Sequence, residues 1–279
     1  MATSLSPAEF AAIAEYAKQA FGLHMPESKR EMVFARLIKR LRRVGIADFA
    51  TYLAYVKQDA NSQERSEFLS ALTTNVTQFF RENHHFDYLR TVALPPLIDK
   101  ARKGHRVRIW SAGCSAGQEP YSIAMTLLDL CADAHSLNIK ILATDIDPRI
   151  LDTAKTGRYP LSERAAIPEN LRKTAIAAAD TDSFTVSDAV RKLVSFAELN
   201  LIAEWPMQGM FDVIFCRNVA IYFDASTQST LWNRFANLLN DDGHLMIGHS
   251  ERLSGAAVQK LRNTGVTVYV KSHATAADK

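Results

Sequence analysis

The residues of this 279-residue chain that could do chemistry cluster where strand-like runs end. Gly113 and Gly117 lie in a small-residue loop after one such run, and glycine lets a ligand approach the backbone closely. Asp145 ends the next run, where a carboxylate can hydrogen-bond the two hydroxyls of a ribose. The pattern favours a nucleoside-type cofactor over the alternative, in which the glycines only form a tight turn and the acid caps a helix.

The residues around the glycine loop discriminate between cofactors. A dinucleotide fingerprint requires GxGxxG, but this loop lacks the third glycine, and Glu119 at the helix start would repel a pyrophosphate. The GxxxxGK[ST] loop of kinases and NTPases is also missing. An acid at this position suits a cationic ligand, and S-adenosylmethionine carries an ammonium and a sulfonium but no phosphate. The residues therefore favour S-adenosylmethionine and methyl transfer.

Strand-like and helical patterns alternate through the second part of the chain. Strands are predicted at 107–110, 139–143, 194–196, 211–216, 244–248 and 266–270, with helical segments between them. This alternation predicts an α/β fold with a doubly wound, mostly parallel sheet, in which ligands lie at the carboxyl ends of the strands. Asn200, Arg217 and Asn218 follow two of these strands and become further candidates for the site.

The first 72 residues are predicted to be helical. Ser6 and Glu9 form a capping-box pattern, and Ser28 and Glu31 repeat it at the start of a second helix that ends near residue 44. Shorter helices are predicted at 48–56 and 64–72. The hydroxyl-rich segment 73–81 breaks the helical pattern, which suits a linker or a loop that lines a site.

The second helix, residues 28–44, separates its apolar and basic residues onto different faces. Its basic stripe consists of Lys29, Arg36, Lys39, Arg40 and Arg43. A solvated surface is one interpretation, but ordinary surface helices mix charge signs through i,i+4 pairs, whereas this stripe is nearly pure in sign. A focused positive face attracts an acidic partner, nucleic acid or an anionic surface, so the stripe predicts docking to one of these.

Composition excludes several classes of protein. The chain has 33 Lys and Arg against 30 Asp and Glu, and a net charge of +3 is too small for a wholesale nucleic-acid binder. We expect no membrane span, because no apolar run approaches the roughly 18 residues required. We expect no signal peptide, because residues 1–7 contain neither a basic n-region nor an apolar h-region. Three scattered cysteines predict reduced thiols in a cytosolic protein. No metal site is predicted, since His84 and His85 lack a supporting Cys/His cluster.

Five segments, in order along the chain, resemble the CheR family of chemotaxis receptor methyltransferases. They are LTTNVTQFFR (72–81, followed by HHF at 84–86), WSAGCSAGQEPYS (110–122), ATDID (143–147), FDVIFCRNVAIYF (211–223) and GHSE (248–251). The resemblance covers almost the whole chain with compatible spacing. Several long matches in sequence are far more specific than one glycine loop.

The resemblance implies an all-α N-terminal domain (1–72), a linker that contributes to the cofactor site (73–88) and a class I S-adenosylmethionine-dependent methyltransferase domain (89–273). A small β-subdomain would be inserted at about 170–195. The implied enzyme is a protein-glutamate O-methyltransferase, which converts receptor glutamates into methyl esters and releases S-adenosylhomocysteine. We expect a cytoplasmic monomer that is recruited to membrane-bound receptor arrays without inserting into the membrane or binding nucleic acid.

The resemblance also implies roles for individual residues. With Gly113, the expected cofactor contacts are Asn75, Thr77, Arg81, Glu119, Asp145, Asn200, Leu201, Arg217 and Asn218. Asp145 would hold the ribose and Glu119 the methionine end, while Arg81 and Tyr222 would lie beside the transferred methyl. The receptor's acidic, helical methylation region would face the basic helix, through Arg36, Lys39, Arg40 and Arg43. A glutamate is already ionised at neutral pH and needs no general base, so Arg81 would orient it.

One segment departs from the family pattern. Some members carry a glycine-rich loop in the β-subdomain that binds a pentapeptide at the receptor C-terminus, whereas residues 175–184 (AIAAADTDSF) contain no glycine. We therefore predict that this chain does not depend on that tether. Two other functions stay open: a module that senses S-adenosylmethionine or S-adenosylhomocysteine without turnover, and an RNA methyltransferase. The lack of an aromatic base-stacking platform weakens the second.

Overall fold

The computed structural model describes residues 3–272, and within this range the chain folds into two compact units. The first unit comprises the chain up to Asn75 together with Tyr222–Thr227. The second unit comprises Val76–Ile221 and the chain from Gln228 onward.

The boundary between the units falls inside the predicted linker at 73–88. Phe79 and Phe80 belong to the buried core of the second unit, so this part of the chain is already folded into that unit. The linker is folded into the second unit because these two phenylalanine side chains are buried in its core. The last residue of the predicted methyltransferase domain, His273, lies outside the described residues.

The first unit is helical, as the sequence predicts. Its α-helices are α1 (Pro7–Phe21), α2 (Arg30–Val44), α3 (Phe49–Val56) and α4 (Ser62–Leu72). Each helix contributes apolar side chains that are removed from solvent, which is the main stabilising contribution for a small helical unit. The buried side chains include Phe10, Ile13, Leu37, Leu41, Tyr52 and Phe68.

The two predicted capping boxes have different outcomes. The one at α1 is confirmed: Ser6 Oγ accepts the N–H of Glu9 at 3.3 Å, and the Glu9 carboxylate accepts the N–H of Ser6 at 2.9 Å. The one at Ser28 and Glu31 is wrong, because a 3₁₀ turn at Glu27–Lys29 precedes α2. An N-cap residue needs an extended backbone, whereas Ser28 lies inside the turn.

A network of charged groups joins α2, α3 and α4. Arg40 Nη2 lies 2.6 Å from Glu64 Oε2, and Arg40 Nη1 lies 2.9 Å from Glu67 Oε2. The Tyr52 hydroxyl donates to Glu64 Oε1 at 2.7 Å. Glu64 is buried, so the Arg40 guanidinium and the Tyr52 hydroxyl replace water as the partners of its carboxylate.

The basic stripe on α2 is therefore not a uniformly solvated face. Arg40 points into the unit, contrary to the interpretation of it as a docking cation, because Glu64 and Glu67 on α4 attract it. Arg36 donates to the carbonyls of Ala71 and Thr73 at 3.2 and 3.0 Å. The exposed cations of the stripe are Lys39 and Arg43, and docking through them stays a prediction.

The second unit contains ten strands within the described residues. They are β1 (Val107–Ala112), β2 (Ile139–Asp145), β3 (Arg158–Pro160), β4 (Ile176–Ala179), β5 (Ser183–Val186), β6 (Val194–Glu198), β7 (Phe211–Cys216), β8 (Leu239–Ile247), β9 (Leu261–Gly265) and β10 (Val268–Lys271). Seven of them form one sheet in the order β6-β2-β1-β7-β8-β10-β9. The five strands β6, β2, β1, β7 and β8 are parallel to one another, and β10 is antiparallel to both of its neighbours, β8 and β9. The predicted doubly wound, mostly parallel α/β fold is confirmed.

Helices alternate with the strands of this sheet. They are α5 (His84–Tyr88), α6 (Leu94–Arg102), α7 (Gln118–Leu130), α8 (Pro148–Thr156), α9 (Glu169–Ala175), α10 (Asp188–Arg191), α11 (Ala225–Leu238) and α12 (Ala257–Lys260), with a π-helical turn at Leu89–Ala93. The central strand β7 is buried along its whole length, as expected for a parallel strand covered on both faces. No helix in the described range is both long and apolar enough to span a bilayer.

The inserted β-subdomain is a small antiparallel sheet in the order β3-β5-β4. It lies within residues 158–186, and so begins earlier than the predicted range of about 170–195. Its first strand has only three residues, too few for a periodic pattern. Tertiary packing defines this strand, since the Tyr159 ring lies 4.9 Å from that of Phe79 and 5.8 Å from that of Phe184.

Replacing Glu64 with alanine should lower the free energy of unfolding by about 3 kcal/mol, because Arg40 would keep a largely buried charge with one partner fewer. Urea denaturation followed by circular dichroism measures this change. The matched control is Glu27→Ala, which breaks an ion pair to Arg30 of 2.7 Å at the surface. This control should cost less than about 1 kcal/mol, and equal effects in the two variants would contradict the assignment.

Candidate cofactor and substrate site

The carboxyl ends of the parallel strands converge at one edge of the large sheet. The second unit brings together there the predicted residues that follow β1, β2, β6 and β7: Gly113, Glu119, Asp145, Asn200, Leu201, Arg217 and Asn218. Backbone bonds join the loops, since the N–H of Gly113 donates to Thr144 O at 2.8 Å and the N–H of Leu199 donates to Asp145 O at 2.9 Å. Such an edge is where open α/β sheets bind ligands.

The glycine loop after β1 needs its glycines for close packing. Gly113 has φ +83°, and a Cβ there would lie 2.3 Å from Val219 Cγ2. Gly117 has φ +94°, and its Cβ would lie 2.9 Å from the Tyr159 hydroxyl. Both positions therefore exclude other residues for steric and conformational reasons. Between them Ser115 also adopts a left-handed backbone, at φ +49°.

Asp145 receives backbone donors from both sides of the site. Its Oδ2 accepts the N–H of Ser115 at 2.8 Å, and its Oδ1 accepts the N–H of Asp147 at 3.1 Å. Burial raises the pKa of Asp145, while these bonds act in the opposite direction. A carboxylate can accept about four hydrogen bonds, so these two leave capacity for the hydroxyls of a ribose.

A buried guanidinium lies between two carboxylates beside the loop. The Arg217 side chain is 2% exposed; its Nη1 lies 3.1 Å from Glu119 Oε2 and its Nη2 lies 3.3 Å from Glu82 Oε2. Arg217 Nη2 also donates to the backbone carbonyl of Arg81. Ser111 Oγ donates to Glu119 Oε1 at 2.7 Å. Burial raises the pKa of Glu119, and the charge of Arg217 opposes this shift.

The charges of this cluster suit a cationic ligand. Glu82 and Glu119 supply two negative charges against the single positive charge of Arg217. Burial lowers the pKa of the neighbouring His85 to about 3, so this histidine adds no charge at neutral pH. Glu82 Oε2 is buried and accepts no hydrogen bond, although Arg217 lies near it. The residues present therefore fit a ligand with an ammonium and a sulfonium, and they disfavour a pyrophosphate.

The loop before α5 holds Arg81 and adopts a strained backbone. Phe80 and Glu82 have φ values of +54° and +55°, a conformation that costs on the order of 1 kcal/mol or more for each residue. Hydrogen bonds maintain it: the N–H of Phe80 donates to Ser122 Oγ at 3.0 Å, and Arg81 Nη1 donates to the Val76 carbonyl at 3.1 Å. Strain retained in this way is a common feature of functional sites.

Asn218 is held by Glu251, the acid of the GHSE segment. Glu251 accepts backbone N–H groups from Gly248 at 2.6 Å, Asn218 at 3.1 Å, Val219 at 3.0 Å and Ile221 at 3.3 Å. It thereby joins the loop after β7 to the end of β8 and maintains Asn218 at φ +58°. The GHSE segment marks Glu251 in the sequence, but the segment does not indicate which backbone groups this acid binds.

Asn75 and Tyr222 belong to the first unit rather than to this cluster. The Tyr222 hydroxyl donates to the carbonyl of Thr74 at 3.0 Å and accepts its N–H at 3.2 Å, next to Asn75. Their roles at the methyl group and the cofactor stay predictions, as does that of the half-buried Thr77. Glu82 and Ser111 also contact residues of this cluster and were not predicted from the sequence, because nothing in their local sequence reports their distant partners.

Replacing Arg217 with methionine should destabilise the protein by about 3 kcal/mol at about pH 8, and by less at about pH 5.5. Burial already raises the pKa of Glu119 in the folded protein, and without the cation it rises further. The pKa of Glu82, which burial raises but His249 and Arg217 together hold below its ordinary value, moves upward as well. The folded state then binds protons more tightly than the unfolded state, so stability falls as the pH rises. Urea denaturation at the two pH values measures the difference.

The matched control for this prediction is Arg158→Met. Arg158 pairs with Asp180 at 2.9 Å, but both side chains are exposed. We expect a change below about 1 kcal/mol at either pH. An Arg217→Met deficit that is the same at both pH values would contradict the proposed charge balance.

Comparisons with known proteins match both units. The family model described as "CheR methyltransferase, SAM binding domain" matches residues 75–270, and that described as "CheR methyltransferase, all-alpha domain" matches residues 8–73. A "Probable chemotaxis protein methyltransferase" of Rhizobium etli is 49% identical over 251 residues, which cover 89% of this chain and 94% of the relative. The "Chemotaxis protein methyltransferase" of Salmonella typhimurium is 40% identical over 274 residues, which cover 96% and 92%. The chain belongs to the CheR methyltransferase family, and its cofactor is S-adenosylmethionine.

Proposed function

We propose that this enzyme methylates the side-chain carboxylates of specific glutamates in the cytoplasmic helical region of chemoreceptors. Relatives that cover most of the chain are named chemotaxis protein methyltransferases, which supports receptors as the substrate. The products would be glutamate methyl esters and S-adenosylhomocysteine.

The observation that carries this proposal is the different charge balance of two neighbouring arginines. Arg217 is paired with two carboxylates whose side chains are only 12% and 13% exposed. Arg81 binds the neutral carbonyl of Val76, and among the described residues of the second unit no carboxylate forms an ion pair with it. The Arg81 guanidinium is therefore available to an anionic substrate, while the acids beside Arg217 suit the cationic cofactor.

The chemistry asked of these residues is orientation. S-adenosylmethionine supplies an electrophilic methyl group on its sulfonium when bound. Asp145 is suited to hold the ribose and Glu119 to hold the methionine end, and Arg81 would align the substrate carboxylate. A glutamate with an ordinary pKa is already ionised at neutral pH, so no general base is required and alignment accounts for most of the acceleration.

The test is transfer of labelled methyl groups to receptor-containing membranes, followed by mild alkali. Glutamate esters should release labelled methanol, whereas methylated RNA bases would not. A protein that binds S-adenosylhomocysteine but transfers no label would instead be a sensing module. Label that resists alkali and is sensitive to ribonuclease would support the RNA methyltransferase.

Variants of two site residues make this test specific. Arg81→Ala should lower the transfer rate by roughly 100-fold, because the carboxylate loses its orienting partner. Asp145→Ala should instead weaken binding of S-adenosylhomocysteine, measured by calorimetry. The exposed Arg158→Ala in the β-subdomain is the control and should change neither quantity. An unchanged transfer rate in Arg81→Ala, together with unchanged binding in Asp145→Ala, would refute the assignment.

The remaining exposed cations of the α2 stripe are proposed to dock the receptor. Lys39→Glu and Arg43→Glu should each raise the KM for receptor several-fold, and the wild-type KM should rise with salt. The affinity for S-adenosylhomocysteine should not change. Arg42→Glu is the matched control, since Arg42 is exposed on the same helix but outside the stripe. Equal effects at the three positions would mean that only total charge matters.

Independence of a C-terminal receptor tether is also proposed. The β4–β5 turn contains no glycine and is closed by Asp180, which accepts the N–H groups of Asp182 at 2.9 Å and Ser183 at 2.7 Å. A turn held in this way has little freedom to rearrange around a peptide. Calorimetry with the receptor C-terminal pentapeptide should detect no binding, and micromolar affinity would overturn this part of the proposal.

A further inference from the structure

A tight turn after β6 contains two of the residues expected to contact the cofactor. Asn200 Oδ1 accepts the N–H of Ile202 at 3.1 Å, and the Asn200 carbonyl accepts the N–H of Ala203 at 3.2 Å. Leu201, which lies between Asn200 and Ile202, is buried. We define the Asn200 turn as residues 200–203.

An arginine on α11 holds this turn through its carbonyl groups. Arg234 Nη1 donates to Leu201 O at 2.9 Å, and Arg234 Nη2 donates to Ala203 O at 2.6 Å. The indole N–H of Trp205 donates to the same Leu201 carbonyl at 3.2 Å. The Arg234 guanidinium also lies 3.7 Å from the centre of the Trp205 ring, which is a cation–π contact.

Trp205 is in turn anchored in the core beneath the site. Its ring lies 5.0 Å from that of Trp110, edge to face at 89°, and 5.2 Å from that of Phe235. Trp110 is fully buried on β1, and its indole N–H donates to Thr144 Oγ1 on β2 at 2.9 Å. The Asn200 turn is therefore fastened to the same two strands that carry Gly113 and Asp145.

The position of the turn indicates which part of the cofactor it faces. Strands β1, β2 and β6 are consecutive neighbours in the sheet. Glu119 follows β1 and suits the methionine end, and Asp145 ends β2 and suits the ribose. Counted outward from β1, the strand beyond β2 is β6. In the cofactor, the group beyond the ribose is the adenine, so the turn after β6 corresponds to the adenine.

We propose that Arg234 and Trp205 are positioning residues that hold the Asn200 turn in the shape that recognises the adenine of S-adenosylmethionine. This inference rests on the proposed function. Arginine suits the role because its planar fork reaches two carbonyls while its face stacks on the indole. Lysine carries a compact ammonium on a flexible stem and has neither the rigid fork nor a planar face. Adenine affinity and selectivity thereby depend on a guanidinium that acts through the turn.

The experiment compares three single variants with the full-length wild type. Arg234→Lys keeps the charge but loses the fork, and Trp205→Phe keeps a stacking ring but loses the indole donor. Arg172→Lys is the matched control, because Arg172 also donates to two carbonyls, those of Ile167 at 2.9 Å and Ala165 at 3.2 Å, in the β-subdomain. Calorimetry with S-adenosylhomocysteine and with its hypoxanthine analogue gives affinity and base selectivity. Hydrogen exchange of the peptide containing Ile202 and Ala203 reports on the turn in the ligand-free protein.

Arg234→Lys should weaken S-adenosylhomocysteine binding at least tenfold, equivalent to about 1.4 kcal/mol, and reduce the preference for adenine over hypoxanthine. Trp205→Phe should have a smaller effect in the same direction. Exchange in the turn should be faster in both variants, and Arg172→Lys should bind within twofold of wild type.

The possible failures are distinguishable. A wild type that does not bind S-adenosylhomocysteine overturns the proposed function and this inference with it. Normal binding by the wild type and by Arg234→Lys, within twofold, overturns this inference alone. An equal loss for both ligands, or an equal loss in Arg172→Lys, would show a general structural effect and also overturn it.

Discussion

The burial of one guanidinium between two carboxylates is the constraint on which the site depends. Each of these charges would be costly to remove from water alone, so Arg217, Glu82 and Glu119 can be buried only together. Arg217 follows β7, Glu119 starts α7 and Glu82 lies in the loop before α5. Their mutual attraction therefore joins three parts of the second unit. Glu82 takes part in this cluster from a strained backbone conformation, at φ +55°.

The same cluster divides the site into regions of opposite charge. The acids exceed the buried cation by one, which suits a positively charged cofactor. Arg81, next to Glu82, donates to the neutral Val76 carbonyl, and we propose that it receives the anionic substrate. Under the proposed function, catalysis needs little from the protein beyond alignment and a dry environment, because a substrate carboxylate would already be a nucleophile.

The charged groups of the first unit fall into a buried set and an exposed set, which the sequence could not separate. The basic stripe on α2 is one continuous feature in the sequence, but Arg40 completes a buried network with Glu64 and Tyr52. Lys39 and Arg43 stay exposed. The net charge of +3 is the small difference between many positive and negative groups, some of which are paired inside the protein. Only the exposed part of the stripe can act on a partner.

The sequence by itself determined the family, the α/β sheet and the edge that holds Gly113 and Asp145, because these follow from local patterns and from motifs read in order. The tertiary structure decided which charged groups meet. Arg217 and Glu119 are 98 residues apart, and Arg40 and Glu64 are 24 apart, so no periodicity reports either pairing. The capping box at Ser28 failed for the related reason that a preceding turn set the backbone there. Local sequence specifies local conformation and burial, whereas the partner of a buried charge is chosen only when distant elements pack.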